Sequence, residues 1–541
     1  MPPGSTSPSR PNIILILVDD MGFADLGVMG SEIHTPTIDA MARRGVLLSA
    51  MYNCARCCPT RASLLTGLYP HKAGIGHMGA NLGTPAYQGF LRDDAVTIAE
   101  VLQAAGYQTL MSGKWHVGGD LWATRVDSWR PGSPGQPTPR QRGFDRFYGM
   151  LDGVTHHYSP HCIMEDERRV EVSPTDFYFT DAITDKAIGM VEESTRLDKP
   201  FFLYLAHHAP HWPIHAREDD IARYDGVYSK GWDAIRTARH EEMLSRKVLQ
   251  HPWAISARDS EAPAWHDVRQ RDWEASRMAV YAAMVDRVDQ SIARLLAALK
   301  RLGQYDDTLI LFLSDNGGCA EFMAEDGWGK FYPTVHNDGR SIQIGNRPGL
   351  LPGGPLTFMS YDLPWANVSN APFRSFKHWV HEGGISTPLV VQWPQRIHQA
   401  LIDHAPCHVV DIMPTILEAA GVAYPRQFGD HAIQAADGES LLPLLQGRNW
   451  ARQQPIYWEH EGNCAIRSGN LKLVRKFAQP WELYDMEVDR TELHDIAAAN
   501  PAFLQALLKD YSGWAQTVGV MDWSLAMPML QKQWAMDNIH G

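Results

Sequence analysis

The segment Cys57-Cys58-Pro59-Thr60-Arg61-Ala62-Ser63-Leu64-Leu65-Thr66-Gly67 is the most informative stretch of the 541-residue chain. Pro59 suits the first turn of a helix. That places Cys57 at the positive N-terminal end, where a thiol pKa falls and anions bind. Three readings compete on the residues alone. Cys54-x-x-Cys57 fits a thioredoxin-like redox pair. It also fits half of a zinc site, although no second cysteine pair lies nearby in sequence. A thiolate phosphatase loop of Cys-x5-Arg type fails, because six residues before Arg61 stands Ala55.

Other polar residues follow apolar runs at once. Ile13–Val18 leads into Asp19-Asp20, Val46–Tyr52 precedes Cys54–Arg61, and Tyr107–Ser112 leads into Gly113-Lys114-Trp115-His116. Phe201–Ala206 leads into His207-His208-Ala209-Pro210-His211, and Thr308–Ser314 into Asp315-Asn316-Gly317. In open parallel sheets, ligands bind beyond the carboxyl ends of the strands, so five strands would deliver these groups to one edge. Asp19, Asp20, Asp315 and Asn316 offer only oxygen ligands, which suit Ca²⁺ or Mg²⁺ better than Zn²⁺. Three carboxylates packed together repel unless a cation sits among them. Arg61, Lys114, His116 and His211 supply donors for a tetrahedral oxyanion such as sulfate or phosphate.

The cysteine segment resembles the signature of the type I sulfatases, in the alkaline-phosphatase-like superfamily: Cys/Ser-x-Pro-Ser/Thr-Arg-x-x-x-Leu-Thr-Gly. Cys57, Pro59, Thr60, Arg61, Leu65, Thr66 and Gly67 match it. The resemblance runs through nearly the whole chain, from Pro11-Asn12-Ile13 and Asp19-Asp20 to Gly113–His116, Ala209-Pro210-His211, Ser314–Gly317, and Lys377 with Glu382-Gly383-Gly384-Ile385. It implies that a maturation enzyme oxidises Cys57 to formylglycine, whose hydrated aldehyde is the nucleophile. A thiolate attacking sulfur would need a separate step to release its adduct, whereas a geminal diol expels sulfate by collapsing to the aldehyde. By the same resemblance, Asp19, Asp20, Asp315 and Asn316 bind Ca²⁺, with Mg²⁺ or Mn²⁺ as alternatives, and Asp315 accepts the nucleophile's proton. Arg61 and His116 hold the second hydroxyl, and His116 takes its proton as sulfate leaves. Lys114 and Lys377 neutralise sulfate oxygens, and His211 binds a sulfate oxygen or protonates the leaving group.

The chain departs from the family pattern at Ser386, where Arg is frequent, and in the cysteines Cys54 and Cys58 that flank Cys57. The closest rival activity is a formylglycine-dependent phosphonate monoester or phosphodiester hydrolase; a remoter one is a non-catalytic anion-binding protein on the same fold. The paired Asp19-Asp20 and the Lys114/His116 spacing favour the sulfatase. Trp212, Trp328, Phe331, Tyr332, Tyr361, Trp365 and Phe373, with His156 and His157, are candidate pocket residues. Apolar walls of this kind favour an aryl or hydrophobic alkyl leaving group.

The elements that must position these residues follow from the pattern. Apolar runs alternate with helical segments such as Thr35–Arg44, the segment from Thr97 to Gly106, and Ala279–Leu302. This predicts an α/β fold with a large mixed, mostly parallel sheet sandwiched by helices. After about residue 450, short segments at Pro455–Glu459, Asn463–Arg467, Leu471–Phe477 and Trp481–Asp485 predict a small antiparallel sheet with a C-terminal helix. The expected division is a catalytic domain over 1–448 and a smaller one over 449–541. Stretches near 120–145, 212–272 and 318–372 read as irregular and as cover for a site. Val46–Tyr52 and Pro388–Trp393 are further strands, and a helix is expected around Val410–Ala420.

Hydrophobic residues make up 44% and charged residues 21%, which excludes a disordered chain. The net charge of −13 without a basic run argues against nucleic acid as a partner. No run reaches the length of a membrane helix, so no membrane partner is expected. With seven cysteines and no evident export signal, the expected setting is cytoplasmic with reduced thiols, or periplasmic if the start has been trimmed. The expected partners are a small-molecule sulfate ester and the formylglycine-generating enzyme. The tail from Met521 to His540 suggests a docked or subunit-swapped arm, the latter giving a homo-oligomer.

Overall fold

The computed structural model describes residues 10–119, 121, 123–173, 176–325 and 332–539. Trp328 and Phe331 lie outside the described residues. Strands β1 (Asn12–Val18), β2 (Val46–Tyr52), β3 (Gln108–Lys114), β4 (Arg146–Met150), β5 (Ile163–Glu165), β6 (Arg168–Val170), β7 (Phe201–Ala206) and β8 (Thr308–Ser314) form the main sheet with three later strands. Its order is Leu401–Asp403, β2, Ser386–Gln392, β8, β1, β7, β3, β4, β5, β6, and Cys407–His408 also pairs with β2. The centre, from β8 through β1, β7 and β3 to β4, is parallel. Ser386–Gln392 runs antiparallel to both β2 and β8.

The strands are apolar on both faces because both faces are covered. Ile14, Ile16 and Val18 of β1 join one core and Ile13, Leu15 and Leu17 the other. Such strands lose the alternation of a half-exposed sheet and read as unbroken apolar runs. Helix α1 (Pro36–Arg44) has Thr35 as its N-cap residue and Pro36 in its first turn, as its sequence predicts, but the Thr35 hydroxyl bonds Asp39 rather than closing the helix end. Thr97 does close the end of helix Ile98–Ala104, in a reciprocal capping box with Glu100.

Helix Asp362–Ser369 falls inside the 318–372 stretch expected to be irregular, and two longer helices depart from the sequence expectation for a physical reason. Arg271–Arg301 begins two turns before the predicted Ala279, because its first turns are polar and carry Asp272 and Glu274 in place of an apolar stripe. Gly231–Ser245 falls inside the 212–272 stretch expected to be irregular. Its buried face carries Arg236 and Arg239, which hides the apolar period. Arg239 is held by Asp25 at 2.6 Å and Glu32 at 2.7 Å, and Arg236 by Ser256.

Near the C-terminus, strands Ile456–His460, Asn463–Ser468, Leu471–Arg475 and Glu482–Asp485 form the expected antiparallel sheet, followed by helix Pro501–Val518. The tail helix Trp523–Ile539 docks on its own chain, with Trp523, Ala526 and Leu530 packed against Ala80, Leu82, Ala86 and Tyr87.

A buried charge network joins the C-terminal sheet to the large one. Lys472 Nζ donates to Glu382 at 2.9 Å and to Glu492 at 2.8 Å. Arg490 Nε donates to Glu382 at 2.9 Å, and the Tyr52 and Ser386 hydroxyls each donate to it at 3.0 Å. Ser386 is therefore a packing residue. Its hydroxyl also lies 3.2 Å from Arg490 Nη2, so a guanidinium from the C-terminal segment serves the carboxylate beside it. Burial works against the Glu382 carboxylate, but Lys472, Arg490 and Arg467 outweigh it and hold its pKa down to about 2. A carboxyl depressed on folding stabilises the fold fully above its unfolded value, near 4.3, and that contribution vanishes as pH falls toward about 2. Lys472→Met leaves two buried carboxylates short of a partner. It should cost about 3–5 kcal/mol in urea unfolding at pH 7, and much less at pH 3. An equal effect at both pH values would contradict this reading.

Candidate active site

Strand register brings the polar residues to one edge. Leu17 of β1 faces Ala206 of β7, Val18 faces Ser314 of β8, and Gly113 of β3 faces Ala206. Asp19, Lys114, His207 and Asp315 therefore start at one level. The antiparallel strand Ser386–Gln392 enters at this same edge, with Ser386 opposite Tyr52, so the loop carrying Lys377 arrives beside the residues after β2. Close backbone contact seals it: a Cβ on Gly317 would fall 2.0 Å from the Gly383 carbonyl oxygen.

Asp19, Asp20, Asp315 and Asn316 are all buried and meet there. Lys114 Nζ donates to Asp19 Oδ2 at 2.5 Å. Arg61 Nη2 lies 2.8 Å from Asp315 Oδ2 and 3.3 Å from Asp19 Oδ2, and Arg61 Nη1 donates to the Lys114 carbonyl at 3.0 Å. Asn316 Nδ2 donates to Asp20 Oδ1 at 2.7 Å. Lys377 Nζ lies 2.8 Å from Asp20 Oδ1 and 3.3 Å from His211 Nε2, and His211 Nε2 is 3.4 Å from Asp20 Oδ2. Asp20 (φ 68°) and His116 (φ 57°) both hold the left-handed backbone region, a strain that cores rarely carry and functional sites often do.

The electrostatics follow from burial and neighbours. Burial and then Asp19 push the Asp315 carboxyl well above the ordinary range, against Arg61 and Lys114. Burial raises Asp19 too, but Lys114, His211 and Arg61 overcome it and hold it below its ordinary value. Burial opposes the Lys377 ammonium, yet Asp20 more than restores it. His211 is held low by burial, and its Nδ1 lies 2.6 Å from the Trp212 carbonyl. That nitrogen therefore carries the proton, and Nε2 turns a lone pair toward Lys377.

Helix α2 (Cys57–Thr66) begins at Cys57, with Pro59 in its first turn. Ligand atoms of Cys57, Cys58 and His116 lie within 4.8 Å of one another. A hydrogen bond from Cys58, against burial and with His116 and Lys114 beside it, holds the Cys57 thiol well below its ordinary value. Burial and Cys57 push Cys58 up. Burial pushes Cys54 up to about 12, and its Sγ sits 3.4 Å from the Ser63 hydroxyl, so Cys54 is a packed thiol and a poor redox partner. His116 is braced by Gly153, where a Cβ would fall 2.5 Å from His116 Nε2.

The predicted pocket aromatics divide. Trp212 packs against His211 at 4.6 Å and Tyr332 at 5.3 Å, beside the site. Tyr361, Trp365 and Phe373 are core residues, packed on Tyr281, Trp232 and Phe23. His157 is buried between the His211 carbonyl, at 3.3 Å, and His208, at 3.2 Å. His156 packs on His215 at 4.1 Å, farther from the carboxylates in this chain of rings.

Arg56 and Glu321 carry no motif signal in the sequence, yet they form an ion pair at 2.9 Å at the mouth. Burial raises Glu321, but Lys377, Arg56 and His211 bring it down to about 2. With Phe376, Lys377, His378 and Trp379 they line a cleft of about 250 Å³.

The donor set fits a hard divalent cation. Asp19 Oδ1 and Asn316 Oδ1 are buried without a hydrogen-bond partner, and both are oxygen acceptors of the kind such ions bind. Three carboxylates are matched by Arg61, Lys114 and Lys377, so an added divalent ion would leave the pocket positive. Chelation should lower the thermal midpoint, and Ca²⁺ at 100 times its dissociation constant should restore about 2.7 kcal/mol. No Ca²⁺ effect on the wild type, or an undiminished effect in Asp20→Ala, would rule this site out.

Two family profiles match the chain: Sulfatase over residues 11–422, and N-sulphoglucosamine sulphohydrolase, C-terminal, over residues 373–510. An uncharacterized sulfatase of Schizosaccharomyces pombe is 30% identical over 554 residues, covering 95% of this chain and 94% of its own. An arylsulfatase of Klebsiella aerogenes is 32% identical over 468 residues, covering 83% of this chain and 94% of its own. The crystal structure of Ps i-CgsB in complex with k-i-k-neocarrahexaose aligns with a TM-score of 0.67 at 27% identity, covering 97% of this chain and 99% of that one. With its strand ends converging as described, the chain belongs to the sulfatase family and is a sulfuric ester hydrolase.

Proposed function

We propose that the protein hydrolyses sulfate monoesters with an aryl or hydrophobic alkyl leaving group, using formylglycine made from Cys57 and a bound Ca²⁺ ion. The observation that carries this reading is the convergence of Lys114, Lys377 and His211 on the carboxylates beside the N-terminus of α2. Sulfatases generally use formylglycine and a divalent metal. Hydrated formylglycine supplies a nucleophilic hydroxyl, and the metal supplies positive charge for a sulfate oxygen. Asp19, Asp20, Asp315 and Asn316 would hold the ion; Mg²⁺ and Mn²⁺ are the alternatives.

The chain's own residues supply the rest. Asp315, held by Arg61 at 2.8 Å, accepts the proton of the attacking hydroxyl. Lys114 and Lys377 bind sulfate oxygens as charge develops. His211 Nε2 takes a proton from Lys377 Nζ, 3.3 Å away, and with it binds or protonates the bridging oxygen. His116 stands beside position 57, where it takes the proton of the second hydroxyl, and Arg61 holds Asp19 and Asp315 in place. Half-buried Phe376 and Trp379 give the cleft its apolar wall. The same groups would also serve a phosphonate monoester, so the substrate assignment rests on comparison of the two esters.

Peptide mass spectrometry of the segment holding Cys57 should show an aldehyde where the gene encodes a thiol. Matured protein should turn over an aryl sulfate faster than phenyl phosphonate, and Cys57→Ala should abolish both activities. A preference for phosphonate would overturn the substrate class, and turnover by Cys57→Ala would overturn the nucleophile. Gly153→Ala pushes a methyl into the His116 ring and should lower kcat by about 100-fold with the fold retained. A kcat within twofold of wild type would remove His116 from the reaction.

A further inference from the structure

A second set of ligand-type side chains meets around His378, a residue of the cleft lining, outside the carboxylate cage. His77 comes from the loop after helix Pro70–Ala73, and His378 follows Lys377. His460 ends the first strand of the C-terminal sheet, and Glu461 follows it in the turn. Ligand atoms of His378, His460 and Glu461 lie within 4.8 Å of one another. His378 Nδ1 is 3.3 Å from Glu461 Oε2, and His460 Nε2 is 3.6 Å from Glu461 Oε1. Donor atoms about 2.0–2.2 Å from a tetrahedral zinc stand roughly 3.3–3.6 Å apart, so each imidazole stands from its own Glu461 oxygen at the spacing of two ligands of one ion.

His460 is the independent observation. Its ring is fully buried, and neither nitrogen has a hydrogen-bond partner. An imidazole stripped of water on both nitrogens is costly unless a ligand compensates. His77 Nε2 donates to Glu461 Oε1 at 2.8 Å, and the His77 ring is stacked between His460 and Trp523. A ligating carboxylate is commonly oriented by such an outer donor.

The geometry points to a second metal site, for a zinc-class divalent ion, with His378, His460 and Glu461 as ligands and His77 as the residue that positions Glu461. Two imidazoles and one carboxylate suit Zn²⁺, whereas the all-oxygen cage suits Ca²⁺, so the two sites select different ions. The His378 and Glu461 side chains retain 28% and 21% exposure, so water can reach the ion as a fourth ligand. Binding at His378 Nδ1 shifts that ring's proton to Nε2, and the long 3.4 Å contact from Asn463 Nδ2 gives way.

The test uses full-length protein, stripped with a chelator and dialysed against Ca²⁺ with Zn²⁺, or with Co²⁺ as a spectroscopic probe. The expected result is one Zn²⁺ per chain and the visible absorption of four-coordinate Co²⁺. Both should be retained in Asp20→Ala, and lost or weakened at least roughly tenfold in His460→Asn and in Glu461→Gln. Glu461 lies in a turn, so its variant carries the test if His460→Asn does not fold. Substoichiometric zinc in wild type, zinc retained at full affinity in Glu461→Gln, or zinc lost in Asp20→Ala would each overturn the proposal.

Discussion

Mutual repulsion among Asp19, Asp20 and Asp315 is the constraint on which the rest of the site depends. All three are buried, where charge is expensive and like charges repel strongly. The fold answers with Arg61, Lys114 and Lys377, each delivered from a different element to within 2.5–2.8 Å of a carboxylate oxygen. This balance is neutral, so a divalent ion on the carboxylates would turn the pocket into an anion trap. Strand register, the tight approach of Gly317 to Gly383 and the left-handed backbone at Asp20 all serve to hold this cluster together.

The acid cluster was legible in the sequence because fully buried parallel strands leave unbroken apolar runs, and the first polar residue after each marks the sheet edge. Thr308–Ser314 and Phe201–Ala206 appear with the bounds that periodicity predicts. Lys377 was not legible in that way. It precedes an antiparallel strand, so no strand end pointed to it, and only the family resemblance singled it out. Arg56 and Glu321 leave no local signal because they act through tertiary pairing from irregular segments. Helix Gly231–Ser245 was hidden because buried arginines replace the apolar residues that would mark its period. The role of Ser386 could not be read locally, since its partner Arg490 is distant in sequence.

The C-terminal segment contributes to this centre in two ways. Lys472, Arg490 and Glu492 fix Glu382, a few residues from Lys377, through a buried network that tolerates no unpaired member. His460 and Glu461 stand beside His378, which lines the cleft. The reacting end of the site is thus built by the large sheet, and its outer wall is shared with the small one. That division allows the leaving-group side to vary without disturbing the carboxylate cage.

The most direct measurement is a crystal structure of the matured protein grown with Ca²⁺ and inorganic sulfate. It should show one Ca²⁺ ligated by Asp19, Asp20, Asp315 and Asn316 at about 2.3–2.6 Å, with sulfate between that ion, residue 57, Lys114, Lys377 and His211. A calcium ion bound elsewhere, or sulfate held away from residue 57, would contradict it.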